Sequence, residues 1–141
     1  METIIVSYNN AFAPEIKRIR KQVFVEEQQI DPEKVFDGED GDAVHVLLRK
    51  SGQFVGSGRM MGDGRIGRLA VLQLHRGNGY GAAMVRALIE AAGRRRLKRV
   101  YLGSQRHAVG FYKKLGFSIC GDAYIEADIE HVPMEISPNV A

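Results

Sequence analysis

Arg76-Gly77-Asn78-Gly79-Tyr80-Gly81 places three glycines in six residues, just ahead of residues 82–95, where Met84, Leu88, Ala91 and Ala92 share one helical face. Bare backbone N–H groups at a helix N-terminus make an anion site, because the first-turn donors are unpaired and the dipole is positive there. Phosphate is the usual occupant. A P-loop needs Gly-Lys-Ser/Thr, whereas Gly81 is followed by Ala82-Ala83. A dinucleotide fingerprint is met by Gly77-x-Gly79-x-x-Ala82 but requires an acid about 20 residues later. No acid occurs between Glu90 and Asp122. An ordinary glycine turn and a pyrophosphate cradle of a third kind both remain open on these six residues.

A second motif lies downstream: Gln105-x-x-Ala108-x-x-Phe111-Tyr112-Lys113-Lys114-Leu115-Gly116-Phe117. Together the two stretches resemble the GCN5-related N-acetyltransferase (GNAT) superfamily, whose acetyl-CoA signature is Arg/Gln-x-x-Gly-x-Gly/Ala. Gln105 stands where that family carries Asn; the longer amide keeps the same donors and acceptor and shifts their reach. Val23 to Gln28, Asp37, His45 and Glu130-His131-x-x-Met134 are similar to the ElaA-like branch. The resemblance implies that Arg76, Gly77, Asn78, Gly79, Tyr80 and Gly81 cradle the pyrophosphate of coenzyme A. It further implies that the backbone of Leu69, Ala70 and Val71 pairs with the pantetheine arm, and that Gln105, Ala108 and Phe111 line the cofactor. Acetyl-CoA is then a co-substrate and no metal is required. The acceptor is a small-molecule or peptide amine.

Acetyl transfer to an amine requires a polarised carbonyl, a neutral amine and a proton for the leaving thiolate. Backbone N–H groups near Val71 are placed to polarise the carbonyl. Tyr112 is the family's position for the general acid; a phenol of pKa about 10 stays protonated at neutral pH and can protonate a thiolate of pKa about 8.5. Glu27 is the first candidate for general base, with Glu26 as the alternative. Glu26, Gln28 and His131 are the acceptor-binding candidates, and His131 could also relay a proton. Cys120 could carry an acyl group, but its place after Phe117-Ser118-Ile119 predicts a packed core thiol and direct attack by the amine. The four histidines, with no i, i+4 pair, suggest no metal site. A non-catalytic acyl-CoA-binding or sensing module is the alternative function on the same fold.

The elements that must position these groups follow from pattern. Residues 3–8 predict a strand, and 14–27 an amphipathic helix with Pro14 in its first turn. An acidic loop spans 31–42. Strand-like runs at 43–49 and 54–61 suggest a hairpin, followed by strands at 65–71 and 99–103. Residues 108–115 read as a short helix, and 117–120, 124–126 and 131–136 as further strands. The expected fold is one α/β domain over 1–141, with a mixed, mostly antiparallel central sheet of about seven strands flanked by helices.

Charge is segregated along the chain. Residues 1–42 hold five Lys/Arg against ten Asp/Glu, residues 43–121 hold fifteen against two, and residues 122–141 hold five acids with no Lys or Arg. This suggests a polyanionic ligand at the middle and a cationic acceptor near the ends. The basic stretch has no helix-turn-helix, zinc or aromatic-platform pattern, so nucleic acid is not the expected partner. No apolar run is long enough for a membrane span and the first residues lack a signal pattern. With one cysteine, a reducing cytoplasm is the expectation. Pairing of two copies through the C-terminal strands is compatible with the pattern.

Overall fold

The computed structural model describes residues 1–138. Strands β1 (Glu2–Ser7), β2 (Val44–Lys50), β3 (Gln53–Met60) and β4 (Ile66–Val71) form an antiparallel sheet in that order. Strands β5 (Val100–Gln105), β6 (Ser118–Ile119), β7 (Tyr124–Glu126) and β8 (Ile129–Ile136) form a second one. There β8 is central, paired with β5 on one side and with β6 and β7 on the other, all antiparallel. The α/β class matches the expectation, with eight strands among the described residues rather than about seven. The two sheets meet in a single parallel bridge, Arg65 to Tyr101.

Helix α1 (Ala13–Arg20) runs directly into a π-helical segment, Lys21–Glu27. Pro14 and Glu15 suit its first turn. Ile16, Ile19 and Val23 are buried against Val6, Leu47 and Ala70 on one face of the first sheet. The opposite face packs on helix α3 (Tyr80–Arg94), whose Met84, Val85, Leu88, Ala91 and Ala92 meet Val46, Leu48 and Met60. That same cluster continues into Val100, Leu102, Val132 and Met134 of the second sheet. One helix thus clamps both sheets across their seam. Truncating fully buried Leu88 to Ala would cost about 3 kcal/mol by lost transfer energy and cavity formation. A short α2 (Pro32–Val35) interrupts the acidic loop, and α4 (Val109–Lys114) follows β5.

Cys120 departs from expectation. It is exposed, because β6 is a two-residue strand at the sheet margin with both residues open to solvent. Its backbone N–H donates to Pro133 O at 2.9 Å.

Candidate functional site

Beyond the Arg65–Tyr101 bridge, β4 and β5 share no pairing among the described residues, so their C-terminal halves border an open split. A β-bulge shapes the β4 side. The register passes from Ser57↔Ala70 to Arg59↔Gly67, so Arg68 and Leu69 together oppose Gly58, and Arg68 takes a left-handed φ of 53°. The peptide joining Val71 to Leu72 is held at both ends: Leu72 N–H donates to Val55 O at 2.9 Å, and Arg76 Nε donates to Val71 O at 2.9 Å.

The glycine turn lies at the mouth of this split. Gly77 and Gly79 have φ of 81° and 78°, and a Cβ on either would meet nothing within 4 Å. Glycine is therefore demanded here by backbone conformation and leaves open space above it. Gly79 caps α3 without any side-chain hydrogen bond. The N–H groups of residues 77–82 donate to no acceptor among the described residues. Asn78 Nδ2 steadies the turn by donating to His75 O at 3.1 Å. The Tyr80 side chain is buried in the α3 core, so this residue offers the turn its N–H alone. Unspent donors at the positive end of a fifteen-residue helix fit a phosphate-bearing ligand.

Helix α4 supplies the other wall. Phe111, exposed, reaches toward Gly81, where an added Cβ would lie 3.7 Å from its Cζ. Tyr112 packs edge-on between Phe111 and Phe117, at centroid distances of 5.0 and 5.6 Å. Burial pushes its phenol above the usual pKa, and its hydroxyl has no hydrogen-bond partner among the described residues. Ala108 is the cap residue of α4, and the Gln105 side chain is exposed. His131 is the register partner of Gln105 and stacks on Tyr124 at 5.6 Å and 19°. His131 Nδ1 lies 2.8 Å from Ile129 O, so a neutral ring carries its proton on Nδ1 and leaves Nε2 as the basic atom.

Two predicted site residues are joined to each other. The Arg76 guanidinium donates from both terminal nitrogens to Glu27, at 2.6 and 2.7 Å, in a fork-to-fork pair. This contact holds the Glu27 carboxyl below its ordinary pKa and raises that of Arg76. A carboxylate so engaged is a weak proton acceptor. Glu26 and Gln28, its neighbours, are exposed, and Glu26 makes no ion pair among the described residues. The π segment explains the choice between them, because i→i+5 bonding such as Gln28 N–H to Val23 O changes the helical phase past residue 21.

A buried charge network, unpredicted from sequence, fastens the acidic loop beside the bulge. Arg20 is bidentate to Asp40 at 2.8 and 2.9 Å, and Arg59 contacts both Asp37 (2.9 and 3.0 Å) and Asp40 (3.2 Å). Arg68, from the bulge, donates to Lys34 O, Val35 O and Asp37. Arg20 sits in the apolar phase of α1, one turn after Ile16, and a charged residue there was the available signal of a buried pair. Among the described residues no group of His, Cys, Asp and Glu could hold a metal, and no helix is long and apolar enough to cross a membrane.

Residues 12–138 match the family model of the acetyltransferase (GNAT) domain. The chain is 32% identical over 120 residues to the uncharacterized N-acetyltransferase YjcF of Bacillus subtilis, covering 82% of this chain and 86% of that one. It is 32% identical over 126 residues to the protein ElaA of Escherichia coli, covering 83% and 82%. The crystal structure of Escherichia coli ElaA superposes with a TM-score of 0.82 over 96% of this chain and 99% of that chain. At 16% identity and a TM-score of 0.76, an aminoglycoside 6'-N-acetyltransferase complexed with coenzyme A shares the fold, over 96% and 97% of the two chains.

Proposed function

The chain belongs to the GNAT acetyltransferase family and is an acyl-CoA-dependent N-acyltransferase, and we propose that it moves acetyl from acetyl-CoA to a primary amine by direct attack. The observation that carries this reading is the split between β4 and β5, closed at its mouth by a glycine turn with six unspent N–H donors, residues 77–82. Those donors would hold the pyrophosphate, and the free edge of β4 at Leu69, Ala70 and Val71 would pair with the extended arm. When bound, acetyl-CoA supplies an acetyl thioester, activated toward amines.

The chain's own groups divide the remaining work. Backbone N–H groups near Val71, at the end of β4, would hold negative charge developing on the thioester oxygen. The Tyr112 hydroxyl keeps a proton available for the leaving sulfur; burial raises its pKa, so the acid form persists across the physiological range. Glu26, unpaired, and His131, with Nε2 as the basic atom, are the acceptor-side groups that can attract an ammonium and take its proton. Exposed Cys120 lines a pocket with Arg65, Arg99, Tyr101, Gly103 and Tyr124, and direct attack by the amine gives it no covalent role.

The test is acetyl-CoA-dependent release of free thiol across a panel of monoamines, polyamines and peptides. Turnover with at least one amine, and no stable acetyl-enzyme trapped without it, is expected. Trapping acetyl on Cys120 during turnover would replace direct attack by a covalent route.

A further inference from the structure

Glu27 ends the helix on the acceptor side, and Arg76 begins the turn on the cofactor side. They meet in two short hydrogen bonds, while the third nitrogen of the same guanidinium, Nε, is fixed on Val71 O. Arg76 is thereby committed on three sides. These bonds use three of its five N–H groups, one on each nitrogen. The Val71 carbonyl retains a second lone pair, and its peptide plane is set by Arg76 at one end and by Val55 at the other.

We propose that Glu27 is a positioning residue: through Arg76 it orients the Val71 carbonyl and ties the acceptor-side helix to the cofactor turn, and it is not the proton acceptor. The inference rests on the reading of the β4–β5 split as the acyl-CoA site. Its physical basis is the planar fork. A guanidinium with two donors on a carboxylate cannot rotate, so its Nε–H is aimed. With Glu27 removed, Arg76 regains its rotamer freedom and the Val71 peptide loses one of its two anchors. Part of the ordering cost then falls on ligand binding.

The experiment measures acetyl-CoA affinity by titration calorimetry without any acceptor, so that no proton transfer contributes. Glu27→Ala should weaken binding about tenfold, Arg76→Ala by a similar factor, and the double variant no more than the worse single one, as for two members of one unit. Glu27→Gln, which keeps an acceptor oxygen for one arm of the fork, should recover part of the loss. Unchanged affinity in Glu27→Ala, or additive losses in the double variant, would overturn the proposal. A parent protein that binds no acetyl-CoA would instead sink the reading of the split. In that event NMR of the Arg76 Nε–H still decides the positioning claim: slow solvent exchange in the parent, fast exchange in Glu27→Ala and an intermediate rate in Glu27→Gln support it, while equal rates in the parent and Glu27→Ala refute it. Thermal melts of all variants separate these effects from loss of the fold.

Discussion

Arg65 and Tyr101 are the one bridge pair joining β4 to β5 among the described residues, and the residue before Arg65 makes that bridge sterically possible. Gly64 O accepts the Tyr101 N–H at 3.0 Å, with Gly64 at φ 96°. A Cβ there would stand 2.1 Å from Arg99 O, a backbone atom that cannot move aside alone. Gly64→Ala should therefore destabilise the fold by roughly 3 kcal/mol or more, combining a left-handed backbone with a clash. Urea denaturation gives the number. A parent-like midpoint would mean that the seam between the sheets does not depend on this contact.

Gly77→Ala and Gly79→Ala separate conformation from contact. Neither Cβ meets anything within 4 Å, so the cost is that of a left-handed φ, about 1 kcal/mol each. A methyl group above the turn also occupies the space where phosphate oxygens would approach the N–H donors. Acetyl-CoA affinity should fall by more than stability does, at least tenfold, as measured by calorimetry beside melting curves. Equal affinity in both variants would remove the turn from the cofactor site.

How much of this was legible varied by residue. The turn at 76–81 and the Tyr112 stretch declared themselves because their chemistry is local: glycines at fixed spacing, and a helix phase. The sheet's division was not legible, since one parallel bridge at Arg65 leaves no trace in the period of either strand. Nor was the charge map, whose segregation is in part neutralised by folding. Glu2 pairs with Arg49, Glu27 with Arg76, Asp37 with Arg59 and Arg68, Glu126 with Arg65, Glu130 with Arg106, and Glu135 with Arg99. Seven of the fifteen acids of the two ends, Asp40 on Arg59 among them, are held by arginines of the middle. Asp31, Glu33, Glu39 and Asp42 stay exposed with no ion pair among the described residues, so the acidic loop keeps charge beside that of Glu26 for a cationic acceptor. The π segment hid the phase that separates Glu26 from Glu27, because a 3.6-residue period extrapolated from Ile16 and Ile19 fails beyond Arg20.

Gly103 is the position through which the proposed acceptor residue His131 can be disturbed without touching the glycine turn. Tyr124 reaches so far across β8 that a Cβ on Gly103 would be 2.0 Å from its hydroxyl and 3.5 Å from His131 Cβ. Gly103→Ala should push the Tyr124–His131 stack away from β5. The expected result is a several-fold rise in KM for the amine, with little change in acetyl-CoA affinity. A parent-like amine KM would remove His131 from the acceptor site.

Tyr112→Phe keeps the aromatic packing on Phe111 and Phe117 and deletes only the hydroxyl. Turnover should drop by about 10²–10⁴-fold while acetyl-CoA binds as before. A general acid works while protonated, and burial raises this phenol above its ordinary value near 10, so the parent should show no alkaline decline from Tyr112 below that pH. Tyr112→Phe with parent turnover would assign the proton to another donor. A parent that binds acetyl-CoA but turns over no amine would favour a sensing module.

The buried network makes stability fall in acid, in two stages whose signs follow from where the protons bind. Burial pushes the His45 imidazole down, and the Arg20 and Arg59 charges add to this. The unfolded chain, with an ordinary histidine near 6.5, takes up the proton first, so stability declines as pH drops below about 6.5. The hydrogen bonds from Arg59 hold Asp37 well below the usual carboxylate range. Asp40 is raised by burial, but Arg20 and Arg59 more than offset this and leave it lowered. Their contribution is complete above the unfolded value of about 4 and is lost as pH falls through 4 toward the folded values. Urea midpoints at pH 7, 5.5, 4 and 3 should trace both stages, and His45→Gln should flatten the first. Asp40→Asn should cost about 3 kcal/mol at pH 7, because it leaves the fully buried Arg20 guanidinium without its carboxylate. A constant midpoint from pH 7 to 5.5 in the parent would mean that His45 carries no such linkage. A mild effect of Asp40→Asn would mean that the loop at 31–42 is held against α1 by its apolar contacts instead.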